Sequence, residues 1–172
     1  MQWKLVDGAA VAGESSTYVV VLDDGDEAFG ALTAFVEDAG LDSAQVTAVG
    51  AFASAVVGWF DRERKDYRRI RIDEQCEALS LVGDVAGSAK GPQLHLHAVL
   101  GLSDGSTRGG HLLEGRVWPT LEAVVRATPV PLHKTMRPEI GLALIDLGKP
   151  SDIGTGPAPG ERGGRGAGDT PG

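Results

Sequence analysis

A chain of 172 residues, 42% of them apolar, is long enough for one domain with a real hydrophobic core. Its 24 acidic against 16 basic side chains leave a net charge of −8, which argues against broad contact with a phosphate backbone. The single cysteine, Cys76, excludes an internal disulfide, and no stretch approaches the ~18 uninterrupted apolar residues of a membrane span. With no signal-like apolar run after Met1-Gln2-Trp3-Lys4, a soluble, cytoplasmic protein is expected.

In chain order, Trp3 to Val6 and Thr17 to Leu22 read as strands, the second rich in β-branched residues. Asp23-Asp24-Gly25-Asp26 then breaks the run and offers caps for a helix over roughly residues 26 to 39. There Phe29, Leu32, Phe35 and Val36 recur at helical spacing, and Gly40 stands where a C-terminal glycine belongs. From Gln45 to Phe60 the chain is small and apolar, which predicts two buried strands meeting near Gly50 to Ala53. A charged turn, Asp61 to Asp66, leads to a strand from Tyr67 to Ile72 with Arg69 and Arg71 on one face and Ile70 and Ile72 on the other. Glu77 to Ala86 reads as a further strand, and Gly87 to Pro92 as a loop. Thr120 to Ala127 fits a helical turn or a strand, ended by Pro129 and Pro131. Leu142 to Leu147 makes a last apolar strand. Many strands, one helix and hairpin turns predict an α+β fold with a mostly antiparallel sheet. Half of residues 151 to 172 are glycine or proline, so a domain over 1–149 and a disordered tail over 150–172 are expected.

The chemistry concentrates in Leu94-His95-Leu96-His97-Ala98-Val99-Leu100, followed by Asp104-Gly105 and Gly109-Gly110-His111. Three of the four histidines fall within these seventeen residues, from His95 to His111. Side chains alternate along a strand, so His95 and His97 share a face. Asp-Gly is a hairpin signal, and the register of the return strand decides where His111 points. A three-residue loop centred on Asp104 sets His97 opposite His111, and one centred on Gly105 makes them diagonal neighbours, still on one face. A two-residue Asp104-Gly105 turn puts His111 on the other face unless Gly109-Gly110 forms a bulge. Three imidazoles on one face are what zinc or a similar divalent metal requires, with a coordination position left open. Ordinary strand histidines facing water or a subunit are the alternative.

Other candidates are weaker. Asp61 to Arg71 carries six basic and three acidic residues and fits either a phosphate contact or a solvated hairpin. Arg162-Gly163-Gly164-Arg165-Gly166 is a faint nucleic-acid signal, offset by nearby acids. Cys76 lacks a local activating base, and His133 reads as a loop residue. Glu114 is a candidate fourth ligand or general base, but it falls on the face opposite His111 if the strand is unbroken, which favours a structural acid. There is no phosphate-binding glycine loop and no Cys-x-x-Cys pair.

The linked segments Gly91-Pro92-Gln93-Leu94-His95-Leu96-His97, Asp104-Gly105, Gly109-Gly110-His111-Leu112 and Pro119-Thr120-Leu121-Glu122 resemble the PPC domain family, shared by plants and prokaryotes. Upstream, Val49-Gly50-Ala51-Phe52, Tyr67 and Glu77-Ala78-Leu79-Ser80-Leu81 extend the resemblance to roughly residues 15 to 147. It implies a homotrimer, a strand over the Thr120 region, and a metal site at His95, His97 and His111. Plant members generally lack those histidines and bind AT-rich DNA through an AT-hook. This chain has no Arg-Gly-Arg-Pro core. Single-domain prokaryotic members are commonly described as DNA-binding proteins. The expectation is therefore a homotrimeric, metal-binding protein of regulatory or DNA-binding type. The alternative is a metal-dependent hydrolase or lyase using the open position.

Overall fold

Alternation of apolar and polar side chains puts most of this chain into strands, and the computed structural model describes them over residues 1–8 and 14–148. The expected Gly/Pro-rich tail, 150–172, lies outside the described residues. In chain order the elements are β1 (Gln2–Gly8), β2 (Ser16–Asp23), α1 (Ala28–Asp38), β3 (Ser43–Asp61) and β4 (Asp66–Ile72). They continue as β5 (Cys76–Ser88), β6 (Gly91–Gly101), β7 (Thr107–Ala127), β8 (His133–Arg137) and β9 (Leu142–Asp146). The sheet runs β1-β2-β7-β3-β5-β8-β9, with β4 on β3 and β6 between β5 and β7. Every pairing is antiparallel except the short β5–β8 contact. Because β3 pairs β5, β5 pairs β6, β6 pairs β7 and β7 returns to β3, these four strands close on themselves.

Inside lie Val20, Leu22, Phe52, Leu81, Leu96, Leu100, Leu112 and Leu121, all shielded from solvent. Helix α1 packs on β6 and β7 and buries Ala28, Leu32, Phe35 and Val36. Phe35 meets Trp3 and Tyr18 edge-on at 5.5 Å each, so β1 and β2 anchor the helix through aromatic contact. The helix cap is Glu27, outside the Asp23–Asp26 run in which it was expected. Asp26 spends its carboxylate on the backbone N–H of Asp23. Glu27 instead accepts from the N–H groups of Phe29 and Gly30, and also from Gly115 of β7 at 3.1 Å.

Three further expectations are corrected. Gln45 to Phe60 is one strand, not two: irregularities near Gly50, Phe52 and Val56 bend β3 so that its first half pairs β5 and its second half β4. Gly50 has a φ of +147°, and the backbone of Thr120 fills the space a Cβ would need. The Gly87–Pro92 loop is mostly strand, closed by the two-residue turn Ala89-Lys90. His133 is not a loop residue but opens β8. The Thr120 region is strand, as the resemblance implies. Among the described residues no helix is long and apolar enough to cross a membrane.

Candidate metal centre

The β6–β7 hairpin closes through a five-residue loop, Leu102 to Ser106, centred on Asp104. Asp104 accepts from the Ser106 N–H at 2.8 Å and holds that loop in shape. His97 therefore pairs directly with His111, with no bulge at Gly109-Gly110. His95 precedes His97 by two residues on the same face, so three imidazoles converge. Ring centroids lie 5.0 Å apart for His95–His97, 5.2 Å for His95–His111 and 5.6 Å for His97–His111. One nitrogen from each ring lies within 4.8 Å of the other two.

The residues fit a divalent ion. Nδ1 of His111 is buried without a hydrogen-bond partner, a costly state for a nitrogen unless something occupies its lone pair. Burial, then the nearby charges of His95, His97 and Lys134, push the pKa of His111 down to about 4. Burial, followed by His95, lowers that of His97 as well. Both rings are neutral at pH 7, the form that donates to a metal. A tetrahedral ion at about 2.0–2.1 Å from each nitrogen would need donors ~3.4 Å apart. His95, His97 and His111 would hold such an ion, which would supply a Lewis acid there.

Residues from three other strands wall the cluster. Tyr67 of β4 stacks on His111 with centroids 4.7 Å apart and planes 20° from parallel. It lies over Gly58 of β3, where a Cβ would stand 2.7 Å from its ring. On the other side, Asp84 of β5 is the cross-strand partner of His95, with Oδ2 3.2 Å from the imidazole Nδ1. Lys134 of β8 reaches the other oxygen of Asp84 at 2.8 Å. Burial works to raise the pKa of Asp84, but hydrogen bonds from His95 and Lys134 and the lysine charge bring it below the usual carboxylate value.

Asp84, Lys134 and Tyr67 escaped the sequence reading. For Asp84 a signal exists: it is the one acid in the run Leu81-Val82-Gly83-Asp84-Val85-Ala86, where a charge needs a partner. Lys134 and Tyr67 reach the site through pairings that no local pattern announces.

The remaining candidates fall outside the cluster. Glu114 does share the face of His111, because the irregularity between Val56 and Val57 inserts one residue of β7 and reverses the parity. It nevertheless serves as a structural acid, ion-paired with Arg69. Arg71 pairs with Asp73 at 3.1 Å, so part of the positive charge of the Asp61–Arg71 segment is neutralised by acids outside it. Arg68 lies 5.5 Å above the ring of Trp59, itself 56% exposed. Cys76 is buried, and burial first, then Glu74 and Glu77, push its thiol to about 11. His133 is exposed on β8 and does not join the other histidines.

The Plants and Prokaryotes Conserved (PCC) domain matches residues 9–129. No curated protein matches the chain. Among solved structures, a DNA-binding candidate from Bacteroides thetaiotaomicron superposes with a TM-score of 0.75 at 27% identity, over 84% of this chain and 96% of its own. A plant- and prokaryote-conserved protein of Pyrococcus horikoshii gives 0.72 at 26% identity, over 86% and 96%. A metal-containing protein of Archaeoglobus fulgidus gives 0.70 at 29% identity, over 84% and 98%.

Proposed function

Since this chain belongs to the Plants and Prokaryotes Conserved domain family, we propose that it is a homotrimeric metal-binding protein of regulatory or DNA-binding type, with its ion held by His95, His97 and His111. The observation that carries this reading is the direct pairing of His97 with His111, which brings three imidazoles together around an unpartnered Nδ1. Nitrogen donors without a carboxylate or thiolate favour zinc among the common divalent ions. The metal-containing relative from Archaeoglobus fulgidus points the same way.

Self-association is supported by the outer face of the sheet. Val124 pairs with Thr47, Thr47 with Val82, and Val82 with His97, so an exposed apolar row runs into the histidines. Val49 and Leu79 flank it, 58% and 57% exposed, an apolar area that a second copy of the chain would cover. A monomer by light scattering would remove the assembly half of the proposal. A cytoplasmic setting goes with the lone reduced cysteine.

The DNA-binding part rests on the Bacteroides relative and on the β3–β4 hairpin. Among the described residues, Arg62, Arg64 and Arg68 have no carboxylate within 4.0 Å, and a trimer presents three copies of them. Affinity for AT-rich duplex that falls steeply with salt is the expected signature. An enzymatic reading, as a metal-dependent hydrolase or lyase, draws on the open coordination position; it is the weaker one because, among the described residues, no unpaired base stands beside the three rings.

The deciding experiment is metal content by mass spectrometry on size-fractionated protein, beside a His95→Ala/His97→Ala variant. About one equivalent per chain, lost in the variant, is expected. A wild-type protein that stays empty after incubation with zinc overturns the metal reading.

A further inference from the structure

Behind the histidines lies a line of three side chains from three strands: Lys134 on β8, Asp84 on β5 and His95 on β6. Asp84 is half-buried in an apolar strand, and the side chain of Lys134 is only 6% exposed. A lysine and an aspartate withdrawn this far from water are costly unless each faces the other. Their ion pair spans 2.8 Å and places the ammonium on Oδ1, a buried oxygen with no other partner. The ammonium also approaches the carbonyl oxygen of Gln93 at 3.4 Å. That leaves Oδ2 for Nδ1 of His95, 3.2 Å away. A carboxylate accepts only, so the Nδ1 it faces must carry the proton. The other ring nitrogen, Nε2, then keeps its lone pair.

We propose that Asp84 and Lys134 are positioning residues for the histidine cluster. Asp84 holds His95 in the Nδ1–H tautomer with Nε2 free to ligate, and Lys134 holds Asp84. Carboxylates that orient ligating imidazoles act in this way in other metal proteins. Here the second link has a structural consequence. Lys134 sits on the β8–β9 hairpin, beyond the 9–129 span that matches the family. The hairpin pairs with β5 through a single bridge, Gly87 to His133, and reaches the site through the lysine. Docking of this C-terminal hairpin and ion affinity are thereby coupled. The effect on ion affinity rests on the metal reading above; the tautomer does not.

The test uses two readouts. Long-range proton–nitrogen correlation spectra of metal-free, histidine-labelled protein at pH 7.5 report the tautomer of His95. Zinc titration against a competing chelator reports affinity. The wild type is expected to show His95 protonated on Nδ1. Asp84→Leu/Lys134→Met, which removes both charges together, is expected to shift His95 toward the Nε2–H form and weaken zinc binding about 10–100-fold. Lys134→Arg, which keeps the charge, is expected to retain the wild-type tautomer. A wild-type His95 protonated on Nε2 overturns the proposal whatever the variants do. So does a folded double variant with unchanged tautomer and affinity, even though zinc binding by the wild type would then leave the metal reading standing. If the wild type takes no zinc but the tautomer shifts in the double variant, the metal reading fails and the positioning role holds.

Discussion

His97 and His111 are direct cross-strand partners, and the loop centred on Asp104 is what aligns them. The pairing makes removal of either ring more damaging than any change behind the cluster. His97→Ala and His111→Ala should each lower zinc affinity more than ~100-fold, beyond the 10–100-fold cost of an outer-shell change. His133→Ala should leave it unaltered, since that ring is exposed and outside the group. Competition titration with a chromophoric chelator measures all three.

The metal-free protein should lose stability on mild acidification. His111 has a folded pKa of about 4 against an ordinary 6.5, so between those values the unfolded chain binds a proton that the folded chain refuses. Stability therefore rises with pH across this window, is complete above 6.5, and is lost as pH falls toward 4. Urea midpoints of metal-free protein at pH 7.0, 5.5 and 4.5 should fall in that order. The fall should be shallower in His111→Asn, whose comparison cancels the carboxylate contribution common to both.

Tyr67 stacks on His111 only because Gly58 leaves room for it. Gly58→Ala forces the tyrosine outward at a cost of about 1–3 kcal/mol, the usual range for overpacking. The thermal midpoint should drop, and the ring protons of His111 should lose the upfield shift that a stacked phenol imposes. An unchanged His111 spectrum would show that the stack is not what holds the ring.

Cys76 should be nearly inert in the native state. With its thiol pushed to about 11, the thiolate fraction at pH 8 is about 100-fold below that of a thiol with an ordinary pKa of 9.0, and the side chain is buried besides. Iodoacetamide labelling at pH 8 should therefore track global unfolding, becoming fast only in denaturant.

Much of this was legible in the chain. The α1 stripe, the β4 alternation and the histidine triplet are local patterns whose periodicity survives folding. The hairpin register was reduced to a few alternatives, and the loop about Asp104 selects one. What stayed hidden depends on non-local pairing. The 19-residue strand β3 looked like two because the stretch from Gly50 to Ala53 read as a break, whereas here it bends one strand. Parity along β7 misplaced Glu114, since a single inserted residue reverses every side chain after it. Glu27 became the helix cap because the structure gave Asp26 another donor.

The β6–β7 hairpin also bears on the order of assembly. Most of this fold is stitched by distant partners, as when Ser16 of β2 meets Ala127 of β7. Such pairings close long loops and arrive late in folding. The imidazoles of His95, His97 and His111, by contrast, all sit on one hairpin with a five-residue connection. They can therefore come together while the rest of the chain is still unpaired. An ion captured at that stage would pin the register of β6 against β7 and seed the strand onto which β3 and β2 must later zip. Zinc present during refolding would then act on the rate of folding as well as on the final stability.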